Sequence, residues 1–70
     1  MVQKKDLYKG CKVHYKYNAL ATPENGMIKE VMEDNDEEVR VVFHCDNQWS
    51  NIDNYTAQLT GLRYLYEGWV

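Results

Sequence analysis

Residues 38–45 read Glu38-Val39-Arg40-Val41-Val42-Phe43-His44-Cys45. In an extended chain Val39, Val41, Phe43 and Cys45 fall on one side, and Arg40, Val42 and His44 on the other. β-Branched residues and Phe suit a pleated, half-buried surface. The stretch therefore predicts a strand over Glu38 to Cys45. The same period of two recurs along the chain and places the protein in the all-β class.

Upstream, Asp34-Asn35-Asp36-Glu37 are turn formers, and their acids are solvated at a hairpin tip. They join the first strand read here to a second over Gly26 to Glu33, with Ile28, Val31 and Met32 apolar. Alternation fails at Val31-Met32, which marks a bulge or a strand end. Residues 18–26 read as a loop, with Pro23 fixing one φ and Asn25-Gly26 a turn signal. Before it, Cys11, Val13, Tyr15 and Tyr17 alternate with Lys12, His14 and Lys16, another half-buried strand. Residues 1–7 are read as a flexible lead-in.

Downstream, residues 46–53 are polar and Asn/Asp-rich, the composition of a loop. Tyr55, Ala57 and Leu59 then alternate with Asn54, Thr56, Gln58 and Thr60, which predicts a fourth strand. A break at Thr60-Gly61-Leu62 leads to a short fifth strand over Arg63 to Glu67. The competing reading over 54–66 is a helix capped by Asn54, with Tyr55, Leu59, Leu62 and Tyr66 on one face. Gly61 would sit mid-helix and cost about 1 kcal/mol relative to Ala, so the strands are preferred.

Seventy residues make one domain. Hydrophobic residues are 44% and aromatics 13%, too apolar for a disordered tail. No apolar run approaches the roughly 20 residues of a spanning helix, so no membrane partner is expected. The basic start has no apolar stretch behind it and does not read as a signal peptide. A cytoplasmic protein is the expectation, with Cys11 and Cys45 as reduced thiols. Eight Lys/Arg against eleven Asp/Glu leave a formal charge of −3. The balance is uneven: residues 1–17 hold five lysines and one acid, while residues 18–70 hold three basic residues and ten acids. A chain this short buries only about 60% of its unfolded surface, so each aromatic is first of all a core candidate.

Five short strands cannot make two stacked sheets of any size; a small, strongly bent barrel is the compact solution. Tyr8-x-Gly10-x-x-Val13-x-Tyr15, Asn25-Gly26-x-Ile28-x-x-Val31, Val39-x-Val41-x-Phe43, Trp49 through Tyr55 and Leu62-x-x-Leu65 carry a resemblance. Over residues 8–68 the chain resembles the small SH3-like barrels of the Tudor/KOW type found in bacteria and their phages. Gly26-x-Ile28-x-x-Val31 is similar to the KOW turn-and-strand signature. The stretch from Asn51 to Tyr55 is distantly similar to the polar-aromatic loop of Tudor domains. The resemblance implies one five-stranded barrel, residues 1–70, whose aromatics gather at one end.

Chemistry of other kinds finds little support. Cys11-x-x-His14 and His44-Cys45 supply the residue types of a zinc site. On strands, residues three apart and adjacent residues face opposite sides, so the four do not converge. A calcium loop starting at Asp34 would need Gly at position 39 and Glu at 45, where Val39 and Cys45 stand. Ser50, His44 and Asp46 or Asp53 are triad residue types without a nucleophile elbow or oxyanion hole. No Gly-rich phosphate loop is present. The reading is a non-enzyme with no cofactor and no metal.

Binding is the class that remains. The first hypothesis is a protein- or peptide-binding adaptor using an aromatic surface at one end of the barrel, from Trp49, Tyr55, Tyr17 and Tyr15, with Phe43 a further candidate. Trp49, in a polar loop, either plugs the barrel end or offers a contact. Tyr15, Tyr17 and Phe43 share the core phase, while Tyr64, Tyr66 and Trp69 could form a terminal patch. The second hypothesis is a nucleic-acid module in which Lys4, Lys5, Lys9, Lys12, Lys16 and Arg40 contact phosphates while Trp49 or a Tyr stacks on a base. Net negative charge favours the first. The oligomeric expectation is a monomer or weak homodimer.

Overall fold

A computed structural model describes residues 2–70; Met1 lies outside the described residues. The strands are β1 (Lys12–Tyr15), β2 (Glu24–Glu30), β3 (Glu38–Val42), β4 (Gln58–Gly61) and β5 (Leu65–Glu67). They form one antiparallel sheet in the order β4-β3-β2-β1-β5. Short 3-10 turns occupy Lys4–Asp6, Trp49–Asn54 and Leu62–Tyr64. The all-β reading is correct. The helical alternative over 54–66 finds only the 3-10 turn at Leu62–Tyr64 and the last residue of another. Among the described residues no helix is long and apolar enough to cross a membrane.

The sheet is open, because β4 and β5 are its two edges and do not pair with each other among the described residues. It is nevertheless strongly curled. Only the turn Leu62–Tyr64 separates β4 from β5 in the chain. Four Cα–Cα steps reach at most about 14 Å. A flat sheet would hold its edge strands about 19 Å apart, four spacings of roughly 4.8 Å. The connection therefore forces the edges toward each other and gives the sheet an inner and an outer side.

Each side has its own core. Val13, Ile28, Val39, Val41 and Leu65 from the strands meet Val2 and Leu62 inside the curl. Met27, Val42, Cys45 and Ile52 form a second cluster, against which Trp49, Tyr55, Ala57 and Trp69 pack. Adjacent Val41 and Val42 are both fully buried, one in each cluster, because the segment after β3 folds back over the outer side of the sheet.

Several boundaries differ from those expected. β2 begins at Glu24, so Asn25-Gly26 lies in a strand and is not a turn. Gly26 is required there for space: a Cβ would stand 2.8 Å from Phe43 and from Val41. A glycine in a strand that marks a close approach is a known use of the residue. β2 ends at Glu30, so the failed alternation at Val31-Met32 marks a strand end, and the break in β2 pairing falls earlier, between Ile28 and Glu30 at Lys29. β3 stops at Val42, and the chain turns through Asp46 and Asn47, both with positive φ. Cys45 thereby leaves the Val39 face and joins the outer cluster.

The fourth strand is shorter and its phase is reversed. Residues 54–57 are not strand, and within β4 Thr60 is buried while Leu59 is 48% exposed. Register decides this: Thr60 pairs with inward Val39 and Leu59 with outward Arg40. The Thr60 hydroxyl donates to the Gln58 carbonyl at 3.0 Å, so its polar atom is satisfied without water. The lead-in is not loose either. Val2 is buried and its N–H donates to Leu65 O at 2.9 Å. The β2–β3 connection is organised by Asn35, whose Oδ1 accepts from the N–H groups of Glu37 and Glu38.

Gly26→Ala should destabilise the protein by about 1–3 kcal/mol, the usual cost of overpacking, in urea denaturation. A neutral result would mean that Phe43 can leave Gly26 freely.

Candidate interaction surface

At one end of the inner core three aromatic rings meet. Tyr15 makes an edge-on contact with Phe43, ring centroids 6.0 Å apart, and a tilted contact with Tyr64 at 5.8 Å. β1 supplies Tyr15, the first residue after β3 supplies Phe43, and the 3-10 turn before β5 supplies Tyr64. All three are half-buried. Together with Glu24 and residues 58–61 of β4 they line a cleft of about 290 Å³. At its rim Glu24 accepts from His44 Nε2 at 2.8 Å when that nitrogen carries a proton. Arg63 lies over the Tyr64 ring, 6.0 Å from the centroid. The cleft joins flat apolar faces to the unpaired side of an edge strand that carries no charged residue.

Of the five aromatics singled out from sequence, Tyr15 and Phe43 lie there. Trp49 and Tyr55 are half-buried on the outer cluster, and Trp49 packs on Trp69 at 4.9 Å. Trp69 itself donates from Nε1 to Gly26 O at 2.8 Å, and Lys12 Nζ sits 4.6 Å from its ring centroid. Tyr17 falls beyond the end of β1 and is 62% exposed. The terminal aromatics also separate: Tyr66 stacks on His14, whose Nδ1 is 2.8 Å from Gly68 O, while Trp69 joins the outer cluster. Tyr64 and Glu24 belong to the cleft although no motif in the sequence groups them with Tyr15. The one available signal was Tyr64's place beside the Gly61 break.

The basic residues are not gathered into one patch. Lys4 reaches the β2–β3 connection, with Nζ 3.2 Å from Asp36 Oδ1. Lys12 is spent on Trp69. Arg40 pairs with Glu30 at 3.2 Å, and Lys9 with Asp53 at 2.7 Å. Lys5 and Lys16 make no ion pair among the described residues. The acids of the longer, negative part of the chain are thus interleaved with the cations.

Lys9 nevertheless enters a grouping of its own. Residues 8–11 form a tight turn, Cys11 N–H to Tyr8 O at 3.1 Å, with Gly10 at φ +92°. Positive φ at the third position favours glycine. Gly10 N–H donates to Ile28 O at 2.7 Å, which pins the turn beside the irregularity at Lys29. Lys29 Nζ donates to Tyr55 O at 2.7 Å. The hydrogen bond from Lys9, its charge and the nearby Lys29 hold the Asp53 carboxyl below the usual aspartate range.

A depressed folded-state value makes the Asp53 pairing stabilising above the ordinary aspartate range, and that contribution fades as pH falls through the lowered value. In Lys9→Ala, carboxyl carbon NMR should show Asp53 titrating at a higher pH than in the parent. An unchanged midpoint would remove Lys9 as the main cause.

No family model matches the chain, and neither does any curated protein or solved structure.

Proposed function

We propose that this protein is a non-catalytic protein-interaction module of the cytoplasm. Its curled sheet is read as an SH3-like barrel of the Tudor/KOW type, left open between β4 and β5. Support for that reading comes from the strand order, with β1 between β2 and β5, and from the one-turn link before β5. The partner is an extended peptide segment lying along β4. Its backbone completes the outer hydrogen-bonding row of the edge strand, and its apolar side chains rest on Tyr15, Phe43 and Tyr64.

The observation that carries this is the coincidence of an uncharged edge strand with the aromatic trio in a single cleft. Natural edge strands are usually protected by shortness, charge, a bulge or a cover; β4 is four residues long and carries no charge.

An amide-correlation NMR titration with twelve-residue peptides of alternating Val and Thr tests the reading. Shifts are expected at residues 58–61, Tyr15 and Tyr64. Tyr64→Ala should weaken binding about tenfold, the loss typical of a buried aromatic anchor, with the fold intact by circular dichroism. Shifts confined to other surfaces, or full affinity in a folded Tyr64→Ala, would reject the site.

A further inference from the structure

The outer side of β2 holds a second cleft, of about 850 Å³, whose lining includes Tyr8, Lys9, Lys29, Glu30, Arg40 and Asp53. Two independent backbone devices aim lysines into it. The Gly10 turn carries Lys9, and the pairing irregularity of β2 places Lys29. Such irregularities re-aim a side chain out of the regular pleat. Arg40 comes from β3 across the register from Glu30.

Three cations face two carboxylates there, a local excess of one positive charge in a chain of net −3. Lys29 is the odd one: it donates to a backbone carbonyl, not to a carboxylate. The Lys9–Asp53 and Arg40–Glu30 pairs are largely exposed, with side chains 46–68% accessible, so they are weak and exchangeable. Asp53 and Glu30 relieve repulsion among the cations. Tyr8 stands at its rim and is 66% exposed, which offers a flat apolar face beside the positive charge.

We propose that this cleft binds a nucleotide, its phosphate held by Lys9, Lys29 and Arg40 and its base stacked on Tyr8. Planar guanidinium and ammonium groups together suit a phosphate, and an exposed aromatic ring suits any base. The site is distinct from the aromatic cleft of the proposed function. It does not use Lys4, Lys12 or the indoles.

The test is amide NMR with thymidine monophosphate and with a ten-nucleotide thymidine strand, each at low and high salt. Expected are shifts at residues 8–10, 29–30 and 53, weakened by salt because phosphate contacts release counterions. Tyr8→Ala and Lys9→Ala should each reduce affinity at least fivefold while circular dichroism shows both variants folded at the assay temperature. Tighter binding of the strand would assign the site to single-stranded nucleic acid; equal binding would assign it to a free nucleotide. No shift with either probe at low salt overturns the proposal. So do shifts centred on Lys12 and Lys16, or a folded Tyr8→Ala that keeps full affinity. Shifts at Tyr15 and Tyr64 belong to the peptide result and shifts at residues 8–10 to this one, because the two clefts share no lining residue, so the two results are read independently.

Discussion

The three residues Leu62–Tyr64, between the last two strands, constrain the rest of the molecule. β4 and β5 are opposite edges of one sheet, yet the chain between them is shorter than the width of that sheet laid flat. The sheet must curl. Curling gives Val13, Ile28, Val39, Val41 and Leu65 a common interior, which Leu62 from the turn and Val2 from the lead-in close. The same turn sets Tyr64 beside Tyr15, so the link that bends the sheet also builds the aromatic cleft.

A sheet this small has a second problem, its outer side. Seventy residues cannot supply another layer, so the segment after β3 folds back and covers Met27 and Val42 with Ile52, Trp49 and Tyr55. Residues 68–70 help: Gly68 N–H donates to Lys12 O, Trp69 to Gly26 O, and Val70 N–H to Asn25 Oδ1. Indole area is what makes a cluster of so few residues effective. That is why Trp49, in a polar loop, packs on Trp69 and the outer cluster.

Apolar spacing located β1, β2 and β3, although β2 and β3 bury residues on both of their faces. It failed where local pattern competed with register. Leu59 looked like the inward residue of β4, but pairing with Arg40 turns it outward and places Thr60 opposite Val39. Asn25-Gly26 looked like a turn, but a glycine is equally what Phe43 needs in order to cross β2. Of the candidate sites, Tyr15 was legible from its phase. The meeting of Tyr15, Phe43 and Tyr64, and of Lys9, Lys29 and Arg40, was not, since each group joins residues from three separate parts of the chain.

Composition and a period of two by themselves determined the class: a small all-β chain with an apolar and a wet side to its strands. Those properties are local, because side chains alternate on every extended backbone whatever its neighbours. Tertiary structure alone decided which polar and aromatic groups share a surface. Strand order, the register of β3 with β4 and the short link before β5 are long-range pairings, and they assign neighbours that spacing along the chain does not encode.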